Sequence, residues 1–243
     1  MKKFLVIGNP VEHSLSPKLH NYWIKKNNLD AIYGKLETHE NDIDELCENL
    51  KQGKIDGLNV TVPFKKLIIQ HINILTGHAL RTKSVNTISV ENGNLIGHNT
   101  DIDGFELSIN RLNYDIRKKN IVILGAGGVV PSIIYALKRM KVSKIFVSNR
   151  TKKKSEELNN LFEDLHILDW GSLIDFDIII NATSLGLKKN DNFELDFSKI
   201  GKNKFFYDVN YNPYETNFFH AGKEKGNTYE NGLFMFLYQA QKA

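Results

Sequence analysis

A single cysteine, Cys47, stands in 243 residues, which excludes a disulfide within the chain and argues against a cysteine-based metal site. Its spacing from Ile43, Leu46 and Leu50 puts it on the apolar face of a helix, where packing is its expected role. No apolar run approaches the roughly 18 residues that a membrane span needs. The opening MKKFLVIGNP has two lysines and an apolar stretch. That stretch lasts only from Phe4 to Ile7 before Gly8, so a first strand is expected rather than a leader. No membrane partner and a cytoplasmic location follow as expectations. A one-sided charge is missing too. Lys and Arg number 32 against 28 Asp and Glu, for a net charge of +4, and the lysines are scattered except at Lys152-Lys153-Lys154. That pattern lacks the basic stripe of a nucleic-acid binder. Internal repeats and low-complexity tracts are also absent, and no metal is expected.

What is present is ordinary for a soluble globular protein: 41% hydrophobic and 25% charged residues. The length suffices for one large α/β domain or two small ones with a substantial core. Short apolar runs at Phe4–Ile7, Ala31–Leu36 and Ile55–Val62 read as strands. Between them, Ser16-Pro17 reads as a helix start, with Ser16 as N-cap and Leu19, Tyr22 and Trp23 on the buried face. A helix is expected over Phe64–Leu75, and a hairpin from Val85–Val90 and Leu95–His98 around Glu91-Asn92-Gly93-Asn94. A helix over Asp101–Leu112 marks a change of character. Strands at Asn120–Leu124, Lys144–Ser148, Asp177–Asn181 and Phe205–Val209 then alternate with helices at Ser132–Met140 and Ser155–Phe162, and the chain closes on an apolar helix, Leu233–Gln241. Such alternation implies an α/β fold with mainly parallel, doubly wound sheets. Two units are expected, with the boundary near Asp101–Asn120.

Gly125-Ala126-Gly127-Gly128 follows a strand and opens a helix. In that context glycines let backbone N–H groups and the helix N-terminus approach a pyrophosphate. A tight structural turn is the plainer alternative. An NAD-specific site usually has an acidic residue at the end of the next strand. This chain has Ser148-Asn149-Arg150-Thr151 and then three lysines, which suits a 2′-phosphate and favours NADP over NAD. A merely solvated basic loop is the alternative there.

In the first half, GLNVTVPFKK (57–66) begins like a buried strand and ends on Asn, Thr and Lys, a combination that solubility alone does not require. Three more polar clusters accompany it: GNPVEHSLSP (8–17), SVNT (84–87) and NTD (99–101). Hydroxyls, amides, one ammonium and one carboxylate suit a small polyhydroxylated acid. Singly, each has a bland reading: Ser16 could only cap a helix, Asn86 satisfy a turn, and Asp101 cap the helix it precedes.

Together these stretches resemble the shikimate dehydrogenase family along nearly the whole chain. The resembling segments are GNPVEHSLSPKLHN (8–21), NVTVPFK (59–65), VNT (85–87), NTD (99–101), GAGG (125–128), NRT (149–151), NAT (181–183), DVNYNPYET (208–216) and NGLFMFLYQA (231–240). The resemblance implies reversible NADPH-dependent reduction of 3-dehydroshikimate to shikimate. It implies a substrate domain of residues 1–103 and 228–243, a Rossmann-like NADP domain of residues 104–227, and an active site in the cleft. Lys65 and Asp101 are the implied catalytic pair. Ser14, Ser16, Thr61, Lys65, Asn86, Asp101, Tyr211 and Gln239 would hold the substrate. Gly125, Ala126, Gly127, Gly128, Val129, Asn149, Arg150, Thr151, Lys152, Lys153, Lys154, Thr183, Val209 and Gly232 would hold NADP. A monomer or homodimer is expected. The chain departs from the family pattern at Val129-Val130-Pro131, at Asn210 where an apolar residue is usual, at Asn231 where Asp is usual, and in its short last helix. None of these removes a catalytic group. Two rivals remain: a quinate/shikimate dehydrogenase using NAD, which Ser16 and Asn149-Arg150-Thr151 oppose, and an inactive dinucleotide-binding regulator, which an intact Lys65 and Asp101 oppose.

Overall fold

The computed structural model describes residues 1–188, 191, 193 and 195–243. They form two compact units, Met1–Asp101 with Gln239–Ala243, and Ile102–Tyr238.

The first unit contains β1 (Lys2–Gly8), α1 (Ser16–Lys26), β2 (Ala31–Glu37), α2 (Ile43–Lys51), β3 (Gly57–Val60), β4 (Ile74–Leu75), α3 (Gly77–Thr82), β5 (Thr87–Glu91) and β6 (Asn94–His98). Its six strands form one sheet in the order β2-β1-β3-β5-β6-β4. β1 pairs in parallel with β2 and β3, and β4 with β6. The hairpin β5–β6 enters antiparallel. Ile43, Leu46, Cys47 and Leu50 are all buried on α2, in a core with Ile7, Leu58, Val60, Phe64 and Ile68. Cys47 therefore packs as its spacing indicates.

Two local expectations fail in this unit. The segment after Phe64 is not a continuous helix but a 3-10 turn over Leu67–His71 followed by β4. Here the backbone bonds across to the sheet: Asn73 N–H donates to Leu95 O and Thr76 N–H to Gly97 O, while Leu95 N–H donates to the Asn73 side chain. An asparagine that offers its side chain to a neighbouring strand competes with helix continuation. Nor does Ser16 cap α1. Leu15 occupies that place without a side-chain bond, and Ser14 Oγ accepts the Ser16 N–H at 3.3 Å. Tyr22 is exposed and no α1 residue is fully buried. The helix attaches through polar and aromatic contacts instead. The Asn21 amide bonds both N–H and C=O of Tyr33, and His20 stacks on the Tyr33 ring at 4.2 Å.

The second unit contains α4 (Asp101–Asn110), whose first residue belongs to unit one, then β7 (Asn120–Leu124), α5 (Val130–Arg139), β8 (Lys144–Ser148), α6 (Lys152–Phe162), β9 (Leu165–Leu168), β10 (Ile178–Asn181), β11 (Phe205–Asp208), α7 (Asn217–Glu224), β12 (Thr228–Asn231) and α8 (Leu233–Lys242). The sheet order is β12-β11-β10-β7-β8-β9, parallel throughout. The inner strands carry no polar alternation because both faces are covered. Ile121, Ile123, Ile178, Ile180, Phe205 and Tyr207 face one core, and Val122, Leu124, Ile179 and Phe206 the other. Numbered within the unit, the order is 3-2-1-4-5-6, the doubly wound dinucleotide-binding arrangement, with its switch point between β7 and β10. β12 belongs to this sheet, and only Gln239–Ala243 cluster with the first unit, so the return falls later than residue 228.

Candidate active site

In the first unit the polar strand ends meet. β3 leads into the turn carrying Thr61, Val62 and Pro63. There Asn9 N–H donates to Val62 O, and Thr61 N–H to Ile7 O. Gly8 is needed for this closeness, since a Cβ there would lie 2.5 Å from Thr61 Cγ2. The turn presents Lys65, whose Nζ lies 2.6 Å from Asp101 Oδ2. Both residues are buried, at 8% and 4% exposure. An ion pair so withdrawn from water persists only with further hydrogen bonds, and they are present. Asn86 Nδ2 donates to Asp101 Oδ1 at 3.0 Å, and also reaches Thr100 Oγ1 at 2.8 Å and Gln239 Oε1 at 3.3 Å. Its Oδ1 accepts the Thr100 N–H at 2.9 Å, which fixes the amide's orientation because a backbone N–H can only donate.

Asp101 does more than open α4. Its carboxylate serves Lys65 and Asn86, and it is Asn99 Oδ1 that accepts the Asp101 N–H. Asn86 joins two loops rather than closing one turn. Gln239 reaches this cluster from the end of α8. Ser14 and Thr61, on neighbouring loops, and Ser16, at the start of α1, are half-buried. Tyr211 lies in the second unit, stacked on Phe236 at 4.8 Å, and burial pushes its phenol up to about 12, so it stays protonated.

Sequence reasoning missed Tyr33. Its hydroxyl donates to Asn59 Oδ1 at 2.5 Å; Asn59 Nδ2 donates to Thr87 Oγ1 at 2.9 Å; and Thr87 donates to Asn86 Oδ1 at 3.1 Å. Every donor points the same way, toward Asp101. Burial raises the Tyr33 phenol well above its ordinary range, so it can only donate here. No sequence signal singled it out; Tyr33 is the one buried residue of β2. Tyr33→Phe leaves the Asn59 oxygen without its donor, a penalty of about 1 kcal/mol. Turnover is expected to fall about fivefold, with NADP KM unchanged; an unaltered turnover would show that the chain ends at Asn86.

In the second unit, Gly125 stands at the switch point with φ +110°, and a Cβ there would lie 2.8 Å from Ala182 O. The glycine turn thus touches the loop that carries Thr183. Ala126, Val129 and Val209 pack at the edge of the core. Gly232 is pressed on Val209 so closely that a Cβ would fall 1.9 Å from its carbonyl oxygen. Gly125, Thr183, Val209 and Gly232 therefore lie in close contacts at the carboxyl ends of β7, β10, β11 and β12. Val130 is fully buried and Pro131 occupies the first turn of α5, where its missing N–H costs nothing. One strand over, Asn149 Nδ2 donates to Thr151 O, and α6 starts with Lys152, Lys153 and Lys154, without a side-chain cap or an acidic residue in its first turn. Lys152 pairs with Asp169 at 3.0 Å, and Arg150 is exposed without an ion pair among the described residues. Three cations at the positive end of a helix repel one another and the dipole. An anion with charge near two would relieve that, and a helix N-terminus is a favourable place for one. The donors present fit the phosphates of NADP.

A glycine turn at the switch point and a basic helix start beside it define the class of NAD(P)-dependent oxidoreductases. Similarity narrows the class. Residues 6–88 match the family described as the shikimate dehydrogenase substrate binding domain, and residues 106–209 the one described as shikimate / quinate 5-dehydrogenase. A shikimate dehydrogenase (NADP(+)) of Pelagibacter ubique (strain HTCC1062) is 53% identical over 242 residues, covering 100% of this chain and 91% of the relative. The crystal structure of shikimate dehydrogenase from Aquifex aeolicus superposes with a TM-score of 0.93 at 37% identity, over 100% of this chain and 90% of that one. Shikimate 5-dehydrogenase from Thermus thermophilus, solved with NADP(H) and shikimate, gives a TM-score of 0.90 at 27% identity, over 99% and 90%. The chain belongs to the shikimate dehydrogenase family.

Among the described residues no helix is long and apolar enough to cross a membrane, and no cluster of His, Cys, Asp and Glu could hold a metal ion.

Proposed function

We propose that this protein catalyses the reversible NADPH-dependent reduction of 3-dehydroshikimate to shikimate, a step toward chorismate and the aromatic amino acids, as a cytoplasmic monomer or homodimer. The observation that carries this reading is the buried Lys65–Asp101 pair, aligned by Asn86 and Asn99. NADP, when bound, supplies or receives the hydride at the alcohol carbon. The hydroxyl proton must then go to a basic group and return from it in the reverse direction. Lys65 and Asp101 hold that proton, and the ammonium favours negative charge developing on the substrate oxygen. Ser14, Ser16, Thr61, Asn86, Tyr211 and Gln239 bind the carboxylate and ring hydroxyls. Gly125–Val129 cradle the pyrophosphate, Asn149–Lys154 the 2′-phosphate, and Thr183, Val209 and Gly232 lie by the nicotinamide. Asn86 is oriented to donate to Asp101, which holds the carboxylate in place against Lys65.

The test is an absorbance assay of reduced nicotinamide with shikimate or quinate and NADP or NAD in all four combinations. Shikimate with NADP is expected to dominate. Turnover with quinate and NAD that equals or exceeds it would favour the quinate/shikimate reading, and no turnover in any combination would favour a dinucleotide-binding regulator.

A further inference from the structure

Asp208 closes β11 after the buried run Phe205-Phe206-Tyr207, and the reaction above gives it no task. It is 1% exposed. Thr216 Oγ1 donates to it at 2.5 Å, Asn181 Nδ2 at 2.9 Å and the Asn210 N–H at 3.0 Å. Burial raises its carboxyl to about 6 in spite of these donors. A charge held there costs stability, so cohesion of the fold is a poor reason for it.

The partners indicate another reason. Asn181, held by Asp208, accepts through Oδ1 from Thr183 N–H at 3.1 Å and from Thr183 Oγ1 at 2.7 Å. Thr183 Oγ1 in turn accepts from Leu185 N–H at 3.0 Å. Asn210, whose backbone bonds Asp208, sends its side-chain Nδ2 to Thr183 O and Leu185 O, both at 3.1 Å. Thr216 accepts from Phe219 N–H and so ties the start of α7 to the same carboxylate. Three donors from three segments converge on one side chain. A carboxylate has about four lone-pair sites for them, where an amide oxygen has two. The rotamer of Thr183 and the path of residues 209–211 are thereby set by bonds independent of the contact between Gly125 and Ala182.

We propose that Asp208 is a positioning residue for the nicotinamide end of the cofactor, acting through Asn181 and Asn210 on Thr183 and Val209. The inference rests on the cofactor reading above. Asn210 has a defined part in it: a polar residue at that position adds two bonds to the Thr183 loop that an apolar side chain could not make.

The test uses Asp208→Ala, Asp208→Asn and Asn210→Ala in the full chain. Titrations with NADPH and with adenosine 2′,5′-bisphosphate, which lacks the nicotinamide, are combined with steady-state kinetics. Asp208→Ala and Asn210→Ala are expected to raise the NADPH dissociation constant and KM about tenfold and to lower kcat, while fragment binding stays within about twofold. Asp208→Asn is expected to restore most of the loss, because its oxygen still accepts from Asn181 and Asn210 and the Thr216 hydroxyl can turn to accept from its amide. Should Asp208→Ala fail to fold, the half-buried Asn210→Ala decides alone. NADPH and the fragment weakened equally would mean a structural role, and unchanged NADPH binding and kcat in Asn210→Ala would end the proposal. If the unaltered protein bound neither ligand, the cofactor reading itself would fall and the inference with it. If it bound both and the variants matched it, only the inference would fall.

Discussion

Lys65→Ala is expected to lower turnover by about 10²–10⁴-fold, the range in which an acid–base group typically contributes, with a small change in shikimate affinity. The ammonium is the cation against Asp101, at 2.6 Å, and its loss removes the proton's route and the charge that favours a developing oxyanion. Stability should fall as well, by about 3–5 kcal/mol, because a buried carboxylate then keeps only Asn86 and no cation. That is a large share of a typical ~5–15 kcal/mol, so the folded fraction of the variant has to be measured alongside its activity. The measurement is kcat and KM for shikimate at saturating NADP, with a melting curve on the same preparation. Turnover near that of the unaltered protein would refute the assignment. A companion Asp101→Asn should lose turnover too, with comparable destabilisation, since it leaves the buried Lys65 ammonium without its carboxylate.

Arg150→Asp is expected to invert or abolish the preference for NADP over NAD. The guanidinium is exposed and free of ion pairs among the described residues, next to three lysines at the start of α6. Losing one charge-assisted hydrogen bond and facing a 2′-phosphate with a carboxylate should cost ~2–4 kcal/mol, about 30- to 1000-fold in kcat/KM for NADP. The same carboxylate can accept from the 2′-hydroxyl of NAD, so that efficiency should hold or rise. The ratio of kcat/KM for the two cofactors is the readout. An unchanged ratio would mean that Lys153 and Lys154 read the 2′-phosphate without Arg150.

Much of the second unit was legible because its signals are local. An apolar run such as Asn120–Leu124 followed by Gly125 needs no distant partner to be recognised as a strand ending in a turn, and the positive φ of Gly125 agrees with that local reading. The α2 stripe of Ile43, Leu46, Cys47 and Leu50 was readable for the same reason: helical periodicity alone sets which face is buried. The failures lie where a segment's partner is remote. Nothing between Phe64 and Leu75 announces that Asn73, and Thr76 just beyond, bond to β6. The Ser16 failure is of another kind, since its N–H bonds the neighbouring Ser14 and either serine could have served. Nor did β12 declare its place: Thr228–Asn231 is short and polar, and its identity as a strand comes from pairing with β11.

For the site, the sequence by itself determined which chemical groups exist: a lysine after a strand end, an aspartate opening a helix, a glycine turn, a basic loop in place of an acidic one. Only the tertiary structure decided which of them act on each other. Lys65 and Asp101 are 36 residues apart and meet because β3 and α4 deliver them to one buried place. Tyr33 carries no motif, and although Asp208 opens a resembling stretch, the bonds each makes to Asn59 and to Asn181 come from the fold. The reason is physical. Backbone preference and periodicity act over a few residues, whereas the direction of a hydrogen bond and the cost of a buried charge depend on whichever side chain the fold brings opposite.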